Sequence, residues 1–193
     1  MASVVSICNS ALNQLGAASI TALTDNSKNA RLCNERYETV RDAVYRSHPW
    51  NCLIKRQQLA QDAATPAYGF SYQFSLPSDC LRLLNLDAYN SDHKVEGRKI
   101  LCNEQSIKIT YISQVTDPNE MDVLLRETIS AGIAADLGYA ITANLQVSKL
   151  MQEKYQFKLS EARHADASEG YNVDPSNGQV DQILTEDFLN SRY

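Results

Sequence analysis

Residues 72–89, YQFSLPSDCLRLLNLDAY, decide how the middle of this chain is read. Two apolar-rich runs flank Leu76-Pro77-Ser78-Asp79-Cys80, which sets a hydroxyl, a carboxylate and a thiol side by side. The stretch is either the turn of an active site or a corner in a sheet. In a hydrolase triad the nucleophile, base and orienter converge from separate segments, and three adjacent residues cannot do so alone. The G-x-S-x-G pattern of a nucleophile elbow is missing as well. Pro77 instead pre-sets a turn, Ser78 and Asp79 can hydrogen-bond nearby backbone, and Cys80 and Leu81 re-enter a strand. The stretch reads as a sheet corner.

Working outward, candidate strands are 52–60, 70–76, 81–88, 94–102 and 106–113, with turns at 64–69, 77–79, 89–93 and 102–105. Alternation is best at Tyr72 and Phe74 and at Ile107, Ile109 and Tyr111. Short strands joined by short turns predict a small antiparallel sheet.

Helical periodicity frames this middle. Val4, Cys8, Ala11, Leu12 and Leu15 form one stripe over 3–15, with Gly16 as its stop. Ile20 and Leu23 of the connector are expected against that helix, and Asp25 or Ser27 as the next cap. Ala30, Cys33, Tyr37, Val40 and Val44 make a narrow seam over 27–48, which ends at His48-Pro49-Trp50. A third helix is predicted over 118–142, with Asp117 as N-cap, Pro118 in the first turn and Glu120 three residues on. Met121, Leu124, Leu125, Thr128, Gly132, Ala135 and Tyr139 would be its buried side. Its many Ala and Gly residues make it thin, so a neighbour can approach closely. Val147, Met151, Tyr155, Leu159 and Ala162 mark a fourth helix over 144–166.

The fold class is therefore α+β. It is mainly a bundle of about four helices, with a small antiparallel sheet inserted between the second and third long helices. Residues 1–166 form the main domain. Residues 167–193 read as an extended C-terminal arm, rich in Gly, Pro, Asn, Asp and Ser before apolar anchors return. Tyr171, Ile183, Leu184, Phe188, Leu189 and Tyr193 are the candidate partner-docking residues.

A chain of 193 residues can bury roughly 70% of its unfolded surface, so no metal or disulfide is needed for folding. Net charge is −5 with no basic run beyond a dipeptide, unlike a free-standing nucleic-acid binder. The five cysteines lack C-x-x-C spacing and read as reduced, packed thiols; no zinc site is spaced. His48, His93 and His164 fall in three different elements, without metal-ligand spacing. Asp117–Asp122 and Asp174–Gly178 both fail the calcium-loop pattern, and no glycine-rich phosphate loop exists. The opening residues lack a secretory pattern, and no apolar run approaches the roughly 20 residues of a membrane span, which predicts an intracellularly made protein with no membrane partner. No catalytic, cofactor or metal residue is singled out. Ten tyrosines and an anchor-tipped tail point to an assembly part instead.

The order of segments carries a resemblance. ICNSALNQLGAASITALTDNSKNARLCNERYETVRDAVYRSHPWN (7–51), FSYQFSLPSDCLRLLNL (70–86) and ITYISQVTDPNEMDVLLRETISAGIAADLGYAIT (109–142) together resemble the head–tail adaptor proteins of tailed bacteriophages, the tail tubular protein A-like family. In that family an N-terminal LxxLG, a helix ending in Pro-Trp or Gly-Trp, and an LPxDCLR corner recur in this order. The resemblance implies a non-enzymatic virion component at the head–tail junction, made in the host cytoplasm. It implies a ring, usually of twelve copies, under the phage portal protein, which joins capsid to tail. The ring would offer a platform to the tail nozzle or tube protein and continue the channel through which genomic DNA passes without sequence-specific binding. An acidic channel wall would repel DNA. The rival readings are a tail-terminator or head-completion stopper, a small cysteine-dependent enzyme using Cys80, and a regulator that binds DNA directly.

Overall fold

The computed structural model describes residues 1–87 and 92–169, and the chain divides into two units, 1–52 with 116 onward and 53–115. The first unit is helical. Helix α1 (Val4–Gln14) starts where Ser3 and Ser6 cap each other: the Ser3 hydroxyl accepts the Ser6 N–H at 3.0 Å, and the Ser6 hydroxyl accepts the Ser3 N–H at 2.9 Å. It stops at Gly16, whose φ of +66° suits glycine best. Asn9 then clamps buried Ile20 through both backbone groups, at 2.8 and 2.9 Å. Of the two expected caps, Ser27 starts α2 (Lys28–Arg46), while the Asp25 carboxylate closes the preceding turn on Thr21 and Ala22.

The α2 seam is buried as expected at Ala30, Cys33, Tyr37 and Val44. Arg41 joins it, at 3% exposed. Its guanidinium lies 5.6 Å from the Tyr37 ring and 5.9 Å from that of Tyr45, and its Nε donates to Asp42 at 2.8 Å. The rings and the carboxylate offset the cost of desolvating the cation.

Helix α3 (Val123–Thr142) begins later than the sequence suggests. Asp117 caps only a single 3-10 turn over Pro118–Glu120; buried Met121 is extended, and Asp122 caps the helix by accepting the Leu124 N–H at 2.7 Å. The helix packs against α1, α2 and α4 (Leu145–Glu169). Its thinness is used inside the chain: a Cβ at Gly132 would stand 3.0 Å from Val40 of α2 and 3.3 Å from Tyr155 of α4, and one at Gly138 would stand 3.2 Å from the Ser148 backbone. Burial consequently spreads beyond the expected stripe to Ile129, Ser130, Ile133, Ala134 and Leu137. Tyr139, expected inside, is 60% exposed. Ala143 in the left-handed region ends α3, Asn144 caps α4, and α4 runs three residues past the expected 166.

The described residues of the second unit form six strands: β1 (Ile54–Leu59), β2 (Tyr72–Ser75), β3 (Cys80–Leu86), β4 (His93–Glu96), β5 (Lys99–Cys102) and β6 (Ile107–Ser113). They form two antiparallel three-stranded sheets, β1-β6-β3 and β2-β5-β4, where the sequence suggested one. The single strand expected at 94–102 is a hairpin that pairs Glu96 with Lys99 across Gly97-Arg98, both with positive φ, and His93 lies in β4, not in a turn. Two positive φ values are the signature of the turn whose twist matches flanking strands. Phe74, Cys80, Ile100, Cys102, Ile107, Ile109 and Tyr111 share one buried cluster in this unit.

Candidate interaction surfaces

The docking residues proposed from sequence, Tyr171, Ile183, Leu184, Phe188, Leu189 and Tyr193, lie outside the described residues. The helix that leads to them is described. Tyr155, Ser148 and the Lys158 carbonyl face α3. Leu150 and Phe157, seven residues or two turns apart, share the opposite face and are 57% and 67% exposed. Leu145, at 62%, and Tyr139 add apolar surface near the α3–α4 connection. Side chains of this size on a face that no element among the described residues covers mark interaction surface more readily than single exposed residues do.

The corner at 77–80 is a structural lock. The Cys80 N–H donates to the Pro77 carbonyl at 3.0 Å, and Arg98 donates to the same carbonyl at 2.7 Å. Asp79 accepts from Lys55 Nζ at 3.0 Å and from the Tyr111 hydroxyl at 3.2 Å. Burial, reinforced by the Asp79 charge, pushes the Tyr111 hydroxyl up to about 12. Cys80 is buried at 4% in the sheet cluster. The corner turns the chain.

A second lock was missed by sequence reasoning. His48 Nε2 lies 3.1 Å from Asp166 Oδ2, while Asp166 Oδ1 accepts the Asn51 N–H at 3.0 Å and the Asp166 carbonyl accepts from Asn51 Nδ2 at 2.7 Å. The Trp50 indole donates to the Val44 carbonyl at 3.0 Å, its ring edge-on to His48, and Arg163 donates to the Ser47 carbonyl at 2.8 Å. Together these join the exit of α2 to the last turns of α4. A His–Asp pair can orient a general base, but such a site also needs an activated nucleophile. Cys52 feels the Asp166 charge and its thiol is pushed up, first by the surrounding protein although part of the residue reaches solvent, which disfavours a thiolate. Asp166 carries no local signal, because its partners are more than 110 positions away.

The other cysteines are packed as expected: Cys8, Cys33, Cys80 and Cys102 are buried and free. Cys8 of α1 and Cys33 of α2 bond thiol to thiol, which with burial drives Cys8 up. One open groove of about 590 Å³ is lined by Ser6, Asn9, Asn13 and Gln14 of α1 with Glu127 and Lys154. Another of about 320 Å³ in the sheet unit runs beside Tyr68, Phe70, Lys94 and Glu96. The first also carries the Ser10 hydroxyl, and the second is lined by Pro66, Ala67 and Leu101 as well. Among the described residues no three His, Cys, Asp or Glu converge to hold a metal ion, and no helix is long and apolar enough to cross a membrane.

No protein-family model matches the chain, and no curated protein matches it.

Proposed function

We propose that the protein is a structural, non-enzymatic component of a tailed-phage virion: a head–tail adaptor that forms a ring of twelve copies under the portal. The ring joins capsid to tail, carries the nozzle or tube protein, and continues the DNA channel. The observation that carries this reading is the outward apolar row on α4, Leu150 and Phe157, placed directly before a 24-residue tail with its own apolar anchors. Such a surface suits assembly, and heterologous contacts of this kind close into rings. The three stretches that carry the family resemblance support it through their physical work. The first, residues 7–51, contains the α1 stop at Gly16 and the Trp50 lock, the second contains the sheet corner, and the third contains α3.

Charge supports a DNA-repelling wall built from the helical unit. Residues 53–115 hold seven Lys and Arg against six Asp and Glu, whereas the rest of the chain holds eleven against seventeen. The test is native mass spectrometry of the purified protein with the portal ring of the same genome. Twelve copies bound to the portal dodecamer is the expected result. A free hexamer that ignores the portal would make it a tail-terminator, and a channel wall lined by Lys and Arg would sink the repulsion argument.

A further inference from the structure

Among the described residues nothing covers the outward face of α4, and the chain continues for 24 residues beyond that helix. Leu150 and Phe157 project from the face opposite α3, with Lys149 and Lys154 exposed beside them and Glu153 the one carboxylate between. Immediately after Glu169 come 24 residues with an apolar end, Ile183, Leu184, Phe188, Leu189 and Tyr193, and four carboxylates, Asp174, Asp181, Glu186 and Asp187, against the single Arg192. The tail is apolar and acidic, and the face is apolar, with Lys149 and Lys154 beside it and the carboxylates Glu153 and Glu161 along the same side, Glu161 paired with Lys158.

Length permits the return. Phe157 lies twelve residues before Glu169, about 18 Å back along the helix, and Leu150 lies nineteen before it, about 28 Å. Ile183 lies fourteen residues past Glu169, which an extended chain can turn into as much as ~45 Å. The polar spacer over 170–182 therefore reaches with slack. Tethering also gives the segment an effective concentration in the millimolar range, which a second copy at micromolar concentration cannot match.

We propose that residues 183–193 dock back across Leu150 and Phe157 of the same chain, so that the free protein covers its own assembly face. A partner that takes the tail then exposes that face to the neighbouring copy. This last step rests on the adaptor reading; the docking does not.

The experiment uses the full chain with Phe157→p-benzoylphenylalanine, irradiated at about 1 µM, well below the tethered concentration. Mass spectrometry should find peptides from 183–193 joined to the α4 peptide in a species of monomer mass. Adding Phe188→Ser and Leu189→Ser should lower that yield about tenfold, the factor set by losing part of the burial of two large apolar side chains. A cross-link confined to dimer-mass species would assign the face to a second copy and overturn the docking. So would a monomer cross-link that lacks tail peptides, or an equal tail cross-link from Val95→p-benzoylphenylalanine in the sheet unit. Portal ring in excess should abolish the intramolecular product. If the product forms but survives the portal, the docking stands and the release on the portal is overturned.

Discussion

Helices α3 and α4 are joined by only Ala143 and Asn144, yet they use apolar side chains in opposite ways. Helix α3 is small-residued and enclosed: Ile129, Ser130, Ala131, Gly132, Ile133 and Ala134 are six consecutive buried positions. Helix α4 buries a narrow line, Met151, Leu159, Ala162 and Asp166, and leaves Leu150 and Phe157 outside. In α3 the shape of each buried residue is set by the three helices packed around it, α1, α2 and α4. In α4 composition is freer, so a large exposed side chain there is not explained by the packing of this unit and points outward. Small-to-large changes are the direct way to break the comparison. Gly132→Leu, whose first carbon already meets Val40 at 3.0 Å, should cost about 3 kcal/mol in urea unfolding. Ser160→Leu on the exposed side of α4 should move stability by no more than about 0.5 kcal/mol. Equal effects would mean that the two helices are constrained alike.

The next effect sharpens what anchors the far end of α4. Asp166→Ala removes the partner of buried His48 Nε2 and of the part-buried Asn51 N–H. We expect a loss of about 2–3 kcal/mol from the unfolding midpoint. In a double-mutant cycle with His48→Ala the two changes should couple by about 1 kcal/mol or more. Additive losses would reduce the pair to separate packing contributions.

That lock also marks the limit of what the sequence reveals. Features with a local cause were legible: the α2 seam, Gly16 as a stop, the Pro77 corner, and a thin third helix. The α3 start was misread because two aspartates five residues apart both cap something, and only the burial of Met121 decides which one opens the long helix. The β4–β5 hairpin was missed because Gly97 alone marks the turn by its residue type, and an arginine with positive φ sends no compositional signal. Arg41 and Asp166 are charged residues in buried places, and only partners supplied by the fold explain them. The surface row on α4 was equally hidden, since Leu150 and Phe157 look like core residues until the face of α4 that meets α3 is known.

A smaller effect tests the lock of the sheet unit by pH. The folded state raises the Tyr111 hydroxyl to about 12, above its ordinary value, because ionisation would place a phenolate in a buried site beside the Asp79 carboxylate. A raised folded value means that the unfolded chain ionises first. The contribution is fully present below pH ~10 and is lost as pH rises through about 12. We expect about 1–2 kcal/mol of alkaline destabilisation in urea titrations between pH 9 and 12, an order-of-magnitude figure from that linkage. Tyr111→Phe should flatten this part of the profile. An unchanged profile would place the alkaline sensitivity elsewhere.

The smallest effect on stability has the largest bearing on function. Leu150→Ser with Phe157→Ser removes two side chains already more than half exposed, so the free chain should change by about 1 kcal/mol or less. If α4 carries the assembly face, the same pair should leave the monomer folded, with unaltered helix signal by circular dichroism, while ring formation on the portal is lost in native mass spectrometry. Substituting Tyr68 and Val95, the exposed apolar residues of the sheet unit, controls for general loss of surface apolarity. Rings that survive the α4 pair but fail with the Tyr68 and Val95 pair would move the interface to residues 53–115 and leave the outward row of α4 to the tail alone.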